Sequence, residues 1–222
     1  MAEVTLDPPI DPALLAPMIE PARTALVVID VQIDFISPAG VAGGWGMDLG
    51  VFEPPLQRIE ALIAAARAKG VTVVPVRVVT RPETDGTALK LLHQRKGYPA
   101  GSLDMCRAGT EGVGYYRIAS QPGDIEIEKT LYSSFAGTDL DARLRARGID
   151  TLVVAGFTTE CCVDSTVRDA FHRDYSVFLV ADACAAYEEH LHWGALAALA
   201  KNCAMLTDTD AVLAAWPEKA GA

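Results

Sequence analysis

Short runs of apolar residues alternate along this chain with longer segments in which apolar residues recur every three or four positions. A short apolar run bounded by polar or turn residues is typical of a strand buried on both faces, whereas the three-and-four spacing indicates an amphipathic helix. Strands are expected at residues 25–29, 71–76, 124–128, 151–155, 176–180 and 204–207. Helices are expected at residues 54–69, 138–146, 158–171, 188–200 and 211–216.

This alternation predicts an α/β fold in which parallel strands are joined by right-handed helical crossovers. The expected architecture is a three-layer, Rossmann-like domain over residues 1–222, with a six-stranded parallel sheet in the order 3-2-1-4-5-6 and helices on both faces. Residues 1–23 are rich in proline and lack periodicity, so we interpret them as an N-terminal arm. Two segments, 36–52 and 82–122, are expected to be loops that line a pocket.

Composition and charge limit the function classes. Half of the 222 residues are hydrophobic, which suits one domain with a substantial core. The formal net charge of −10 argues against a nucleic-acid partner, because such a partner requires a basic surface. The apolar runs are too short to span a membrane, so no membrane partner is expected. The five cysteines lack the spacing of a disulfide framework, and the first residues do not resemble a signal peptide, so a cytoplasmic protein with reduced thiols is expected.

Two adjacent cysteines follow the fourth predicted strand. Gly156 ends the apolar run, and the helical spacing after it places Cys161 and Cys162 in the first turn of a helix. The unpaired N–H groups and the positive end of the helix dipole favour a thiolate there and lower the pKa of a cysteine. Alternatively, both cysteines are small buried apolar residues, which is the commoner role of this residue type. The stretch alone leaves both interpretations open.

Other strand ends also carry side chains that suit an active site. The carboxyl ends of parallel strands form the edge of the sheet at which ligands bind. Asp30 closes the first strand and Lys129 the third, although a loop-capping carboxylate and a solvated lysine are the alternatives. Arg77 and Arg81 follow the second strand and either bind a carboxylate or ureido oxygen or pair with surface carboxylates. Phe35, after the first strand, is a candidate pocket wall.

The residues around the two cysteines follow a spaced pattern. Its members are Gly156, Thr159, Glu160, Cys162, Val163, Thr166 and Ala170. This pattern resembles the signature of the isochorismatase-like cysteine hydrolases. The strand ends VVID and IEIEK, which supply Asp30 and Lys129, also match landmarks of that family. The resemblance extends from about Ala22 to Trp216 and implies the same sheet order.

The resemblance implies a catalytic triad. In it Cys162 is the nucleophile, Asp30 is first the general base and then the general acid, and Lys129 keeps the thiolate and the carboxylate ionised. It also implies a cis peptide bond between Phe157 and Thr158, with the backbone N–H groups of Thr158 and Cys162 forming an oxyanion hole. Successive helix residues point about 100° apart, so only one of the two neighbouring sulfur atoms is expected to face the triad.

The implied activity is hydrolysis of a C–N bond in a small amide, ureido or carbamoyl compound through a thioester. Carbamoylsarcosine, ureidoacrylate and biuret hydrolases are the most similar members of the family. The expected substrate-binding residues are Phe35, Arg77, Arg81, Tyr132 and Phe157. The alternatives are the vinyl-ether hydrolysis of isochorismatases, which lack the nucleophilic cysteine, and a non-enzymatic binding or redox-sensing module that uses the Cys161 and Cys162 pair.

No metal and no cofactor are expected. Nicotinamidases of this family bind a divalent ion through an aspartate and two histidines in the loops after the first two strands. Asp48 is the comparable aspartate, but this chain has no histidine between Met1 and Leu92. The expected ligand is a small-molecule substrate, and the resemblance implies a homo-oligomer, either a dimer or a tetramer.

Overall fold

The computed structural model of the protein describes residues 10–98 and 101–216. The strands are β1 (Thr24–Ile29), β2 (Thr72–Val78), β3 (Ile127–Lys129), β4 (Thr151–Phe157), β5 (Ser176–Ala185) and β6 (Met205–Thr207). They form one six-stranded sheet in the order β3-β2-β1-β4-β5-β6. Every pairing within it is parallel. Both the strand order and the α/β class predicted from the sequence are therefore confirmed.

Helices connect the strands and cover the sheet. They are α1 (Pro12–Leu15), α2 (Ile33–Ile36), α3 (Val41–Gly44), α4 (Glu53–Lys69), α5 (Thr87–Lys96), α6 (Leu140–Ala146), α7 (Asp164–Phe171), α8 (Glu189–Asn202) and α9 (Thr209–Ala215). A π-helical turn, Thr159–Val163, directly precedes α7. None of the helices in the described ranges is long and apolar enough to cross a lipid bilayer.

The sheet is buried on both faces, which gives the domain three layers. All residues of β1 and β4 are buried, so the two central strands are continuous apolar runs in the sequence. On one face, Leu26 and Val28 of β1 belong to a cluster with Leu56 and Ile59 of α4. On the opposite face, a second cluster joins the sheet to α6, α7 and α8. The active-site edge thus rests on a rigid, doubly covered scaffold.

The N-terminal arm packs against the C-terminal helix. Leu15 and Ile19 are fully buried in the cluster that also contains residues of α4 and α9. The Trp216 indole N–H donates a hydrogen bond to the Ile19 carbonyl at 2.8 Å. Leu15 and Ile19 therefore anchor the arm in the same core, whereas residues 1–9 lie outside the described residues.

Two strands differ from the prediction by three or more residues at one end. Strand β5 continues to Ala185, although the polar Asp182 suggested an earlier end. The Asp182 carboxylate accepts hydrogen bonds from the backbone N–H and the hydroxyl of Thr209, both at 2.9 Å, so its charge is satisfied where it stands. Strand β3 begins later than predicted, because the Asp124 carboxylate accepts the Gln121 N–H at 2.8 Å and closes a turn before the strand.

Both segments that were predicted as loops contain helices. Helix α3 lies within residues 36–52, and α5 lies within residues 82–122. Helix α5 has no buried residue, so its sequence lacks the apolar stripe from which a helix is predicted. The Lys90 ammonium donates to the Pro82 carbonyl at 3.2 Å and fastens the first turn of α5 to the preceding chain.

A glycine in β4 determines how closely β4 approaches β1. Gly156 has a φ of +128°, and a Cβ atom added there would lie 2.2 Å from the carbonyl oxygen of Ile29. We expect Gly156→Ala to lower the free energy of unfolding by at least about 2 kcal/mol, because it adds backbone strain and overpacks the two central strands. Urea unfolding followed by circular dichroism measures this change.

Gly194→Ala is the matched control. Gly194 lies in the interior of α8, and nothing lies within 4 Å of an added Cβ atom. This substitution should raise the free energy of unfolding by about 0.5–1 kcal/mol, because alanine favours the helix and restricts the unfolded chain. Similar losses in both variants would contradict the close approach at Gly156 as the cause.

Candidate active site

Strands β1, β3 and β4 end at the same edge of the sheet and bring three predicted residues together. Asp30 follows β1, Lys129 is the last residue of β3, and Cys162 lies in the π-helical turn after β4. The Lys129 ammonium contacts Asp30 Oδ2 at 2.7 Å and donates a second hydrogen bond to the Leu131 carbonyl at 2.9 Å. The Lys129 and Asp30 side chains are 0% and 1% exposed. They form a buried ion pair.

The chain turns sharply at Asp30. Its φ is 53°, in the left-handed region that aspartate adopts more readily than most residues. Its backbone N–H donates to the Val76 carbonyl of β2 at 3.0 Å. Asp30 Oδ1 is buried and has no hydrogen-bond partner among the described residues. One carboxylate oxygen therefore holds Lys129, while the other is available to accept a proton.

The paired side chains influence each other's proton affinity. Burial raises the pKa of Asp30, and the neighbouring Lys129 ammonium and Cys162 thiol offset only part of that increase. Burial by itself lowers the pKa of Lys129. The Asp30 carboxylate and the nearby Cys162 sulfur outweigh that effect and raise the Lys129 pKa, so this ammonium keeps its proton. Because Cys162 acts on both groups, its sulfur lies next to the pair.

The surroundings of the Cys162 thiol oppose its ionisation. A hydrogen bond with Cys161, burial and the Asp30 carboxylate raise the pKa of Cys162 well above its ordinary value, and Lys129 lowers it by less. The helix N-terminus favours a thiolate, and these neighbours act in the opposite direction. With 6% of the residue exposed, desolvation opposes the negative charge. A protonated thiol must give up its proton before or while its sulfur forms a covalent bond.

The turn that carries the cysteines is fixed at several points. The peptide bond between Phe157 and Thr158 is cis, at the position that the family resemblance implies. The Thr158 carbonyl accepts the Cys161 N–H at 3.2 Å. The fully buried Thr159 forms a hydrogen bond through its hydroxyl with His192 Nδ1 of α8 at 2.8 Å. These contacts hold the start of α7 against α8.

A cavity of about 240 Å³ opens beside the thiol. Phe35, Tyr132 and Phe157, which were predicted to bind substrate, are among its lining residues. Six further lining residues belong to the two segments predicted to line a pocket, although the sequence did not single them out: Trp45, Leu89, His93, Ser102, Leu103 and Met105. Tyr187, after β5, was not anticipated. A larger hollow of about 490 Å³ lies between α4, β5 and α8, but no triad residue lines it.

The two neighbouring thiols are less clearly separated than expected. Both Cys161 and Cys162 line the cavity, although only one sulfur was expected to face the triad. Cys162 is the more buried of the two and packs with the core cluster that covers α7 and α8. Of the two, Cys162 is the cysteine that acts on Asp30 and Lys129, so the lining of one cavity by both residues does not mean that both sulfur atoms face the pair.

The two arginines that were predicted to bind substrate do not line the cavity. Arg77 lies in β2, and its guanidinium pairs with Glu128 at 2.6 Å and with Glu126 at 3.4 Å. It also lies over the Tyr115 ring, 5.6 Å from the ring centroid. Arg81 is exposed after β2 and is also absent from the cavity wall. The alternative of pairing with surface carboxylates therefore describes Arg77.

Two buried polar residues, to which the sequence analysis assigned no role, hold the loops around the cavity. The Gln32 side chain donates to the Val78 carbonyl at 2.9 Å and accepts the Val78 N–H at 2.7 Å. The Asp34 carboxylate accepts the N–H groups of Val41 at 3.1 Å and of Cys106 at 2.6 Å. Their signal in the sequence is the polar spacing of VVIDVQIDF, where buried polar side chains require partners.

The described residues include no group of three or more His, Cys, Asp and Glu side chains close enough to hold a metal ion. Asp48, the position compared with the metal-binding aspartate of nicotinamidases, accepts the Gly50 N–H at 2.9 Å. The predictions that the reaction uses no metal and no cofactor stay predictions.

The buried pair allows a direct test of its contribution to stability. Lys129→Met leaves the Asp30 carboxylate buried without a cation and should lower the free energy of unfolding by about 3–5 kcal/mol. Adding Asp30→Asn removes that charge and keeps a residue that accepts a positive φ, so the double variant should recover part of the loss. A urea double-mutant cycle should give a coupling free energy of about 1–3 kcal/mol.

A surface ion pair is the control for this cycle. Arg168 and Asp164 pair at 2.8 Å within α7, with side chains 40% and 20% exposed. Arg168→Met should cost less than about 1 kcal/mol, because water screens an exposed pair. Strictly additive losses for Asp30 and Lys129 would show that the two charges do not stabilise one another.

Comparisons with known proteins identify the family of this chain. The family model described as the isochorismatase domain matches residues 24–211. A ureidoacrylate amidohydrolase from Methylobacterium radiotolerans is 37% identical over 190 residues, which cover 81% of this chain and 74% of that protein. A ureidoacrylate amidohydrolase from Stutzerimonas stutzeri is 35% identical over 174 residues, which cover 73% of this chain and 69% of that protein.

Solved structures show the same fold. A cysteine hydrolase from Pseudomonas syringae pv. phaseolicola superposes with a TM-score of 0.77 at 28% identity, covering 97% of this chain and 98% of that one. The N-carbamoylsarcosine amidase from Thermoplasma acidophilum superposes with a TM-score of 0.67 at 29% identity, covering 85% of this chain and 97% of that one. The chain therefore belongs to the isochorismatase family of hydrolases.

Proposed function

We propose that the protein is a cysteine-dependent amidohydrolase that cleaves the C–N bond of a small amide, ureido or carbamoyl compound through a thioester. The observation that carries this proposal is the buried Asp30–Lys129 pair next to the Cys162 thiol at the wall of a cavity. A nucleophile beside an oriented base is the arrangement by which enzymes transfer acyl groups through a covalent intermediate. The relatives named ureidoacrylate amidohydrolase and N-carbamoylsarcosine amidase support cleavage of the same type of bond.

The first half-reaction begins from a protonated thiol. As Cys162 Sγ attacks the substrate carbonyl carbon, the thiol proton moves to Asp30 Oδ1, the buried oxygen that lacks a partner in the described structure. The carbonyl becomes a tetrahedral oxyanion, and Lys129 stays charged beside the acid that now holds the proton. Asp30 then returns the proton to the leaving nitrogen, the C–N bond breaks, and a thioester on Cys162 remains.

The second half-reaction restores the enzyme. Asp30 removes a proton from a water molecule, and the water oxygen attacks the thioester carbonyl carbon to form a second oxyanion. When the C–S bond breaks, the sulfur regains a proton from Asp30 and the acid product leaves. Both oxyanions are proposed to accept hydrogen bonds from the backbone N–H groups of Thr158 and Cys162, each worth roughly 10²- to 10³-fold in turnover.

The proposal also covers the substrate contacts, the oligomeric state and the location of the protein. Phe35, Tyr132 and Phe157 are proposed to contact the substrate because they line the cavity. The homo-oligomer and the cytoplasmic location rest on the family resemblance and on the cysteine pattern of the sequence. Light scattering coupled to size-exclusion chromatography would give the oligomeric state directly.

The two cysteines should respond differently to substitution. Cys162→Ala should lower hydrolysis by at least about 10⁴-fold and remove the covalent adduct with an electrophilic substrate analogue, because no nucleophile remains. Cys161→Ala keeps the nucleophile and should retain most of the activity. Ammonia release from ureas and primary amides, together with intact-protein mass spectrometry, measures both properties.

Circular dichroism is the control for folding of both variants. An adduct on Cys161, or full amide hydrolysis by Cys162→Ala, would contradict the proposed nucleophile. Vinyl-ether hydrolysis that survives Cys162→Ala would instead support the isochorismatase-type alternative, which does not use a thiol.

The pH dependence of activity should report the ionisation of Asp30. The carboxylate must be unprotonated to accept the thiol proton, and burial raises its pKa above the usual value of about 3.9. The specificity constant, kcat/KM, should therefore decrease on acidification with a midpoint above pH 3.9. The rate of Cys162 alkylation should depend on the same carboxylate. Lys129→Met removes the ammonium that lowers the Asp30 pKa, so the pH at which alkylation slows on acidification should be higher in this variant. A shift to lower pH would contradict the assignment of the base.

A further inference from the structure

The cavity beside Cys162 has largely apolar walls. Side chains of Phe35, Trp45, Leu89, Leu103 and Met105 line it. An apolar cavity of about 150 Å³ is large enough to bind benzene. The present cavity of about 240 Å³ therefore has room for a six-membered ring together with an amide or ureido group.

The charged side chain on the cavity wall is already neutralised. Asp85 is the one acidic residue among the described residues that line the cavity, and no lysine or arginine lines it. Arg107 binds both oxygens of Asp85, with Nη1 to Oδ1 at 2.7 Å and Nη2 to Oδ2 at 2.8 Å. Their side chains are 15% and 7% exposed. The guanidinium fork is thus occupied by Asp85, and Arg107 itself does not line the cavity.

The other cations near this edge of the sheet are also engaged or lie outside the cavity. Lys129 contacts Asp30, and Arg77 pairs with Glu128. Arg81 is exposed and does not line the wall. A carboxylate on a bound substrate would lose its hydration without gaining a cation, which is costly in an apolar site.

The polar groups of the wall are mostly bonded within the protein. The Tyr187 hydroxyl donates to the Phe35 carbonyl at 2.6 Å, and the Thr80 hydroxyl donates to the Met105 carbonyl at 2.9 Å. His93 Nδ1 and the Ser102 hydroxyl lie 2.7 Å apart. These polar groups are therefore not available to bind a charged substituent, and this part of the cavity contacts a ligand mainly through apolar side chains.

We propose that the site accepts neutral amides or ureas with an apolar, ring-sized substituent and disfavours substrates that carry a carboxylate. The inference rests on the proposed function, because it assumes that the reacting carbonyl lies at Cys162. It separates this chain from the relatives named ureidoacrylate amidohydrolases, since an acrylate group is an anion at neutral pH. Leu89 is proposed as a specificity-determining residue.

Helix α5 provides the position for testing this role. Leu89 and His93 are four residues apart, share one helix face and line the cavity. Leu91 belongs to the same helix but is 38% exposed and does not line the cavity. Because α5 has no buried residue, a lysine at either position leaves the core of the protein unchanged.

The first experiment compares two alkylating reagents that differ only in one carboxylate. N-phenyl iodoacetamide and 4-(iodoacetamido)benzoate share the reactive group and the ring. Their rates of Cys162 alkylation are followed by tandem mass spectrometry that separates the adjacent cysteines, and each rate is divided by the rate with glutathione. The neutral reagent should react at least about tenfold faster, because the anion lacks a partner in the cavity. Equal rates, or faster labelling by the benzoate, would overturn the proposal.

The second experiment places a cation in the cavity wall. Leu89→Lys should increase the relative labelling rate of the benzoate reagent at least about tenfold, since the new ammonium pairs with its carboxylate. Leu91→Lys adds the same charge to the same helix outside the cavity and should change the ratio less than about twofold. Equal effects of the two variants would mean that long-range attraction is responsible and would overturn the role of Leu89.

Turnover then separates this inference from the proposed function. Phenylurea should have a kcat/KM at least about tenfold higher than 4-ureidobenzoate in the unaltered protein. A higher kcat/KM for the anionic urea would overturn the substrate preference. If neither urea is hydrolysed while the labelling preference remains, ureas would be excluded as substrates of the proposed activity. The labelling result would still support the preference of the cavity for neutral groups.

Discussion

The buried contact between Lys129 and Asp30 is the constraint on which the active-site edge of the sheet depends. Removing two charges from water costs several kcal/mol per ion, and close geometry with additional hydrogen bonds is needed to offset that cost. Here the contact is 2.7 Å, and the Leu131 carbonyl accepts a further N–H of the lysine. Strand β2 separates β3 from β1, so their backbones are about 10 Å apart. The length of the lysine therefore matters as much as its charge.

A buried pair requires loops that exclude water, and buried polar side chains position those loops. Gln32 links the ends of β1 and β2 through the backbone of Val78. Asp34 accepts N–H groups from two segments that are distant in the sequence. Gly112 packs directly on that carboxylate, and a Cβ atom there would lie 2.1 Å from Asp34 Oδ1. The wall of the cavity is thus built on satisfied backbone groups as well as on apolar contact.

The sequence predicted what burial imposes and missed what depends on distant partners. The central strands were recognisable because both faces are buried and their residues are uniformly apolar, as in β4. Asp30 was recognisable because a charge that ends such a run is unusual, whereas Lys129 was assigned through the family resemblance. The direction of Arg77 depends on Glu128 of the neighbouring strand, which no local pattern contains. Helix α5 lacks an apolar stripe because it lies exposed over the cavity.

The proton affinities in the site follow from the same burial that makes the ion pair costly. An exposed aspartate near pKa 3.9 is a weak base for a thiol near 8.5. Burial raises the pKa of Asp30 and makes this carboxylate a stronger base. It also raises the pKa of Cys162, so the thiolate forms only when its charge is stabilised. Lys129 lowers both pKa values, because the negative charge stays near its ammonium whether it resides on oxygen or on sulfur. In the proposed mechanism, proton transfer from thiol to carboxylate therefore leaves the net charge of the buried cluster unchanged and requires little reorganisation of solvent.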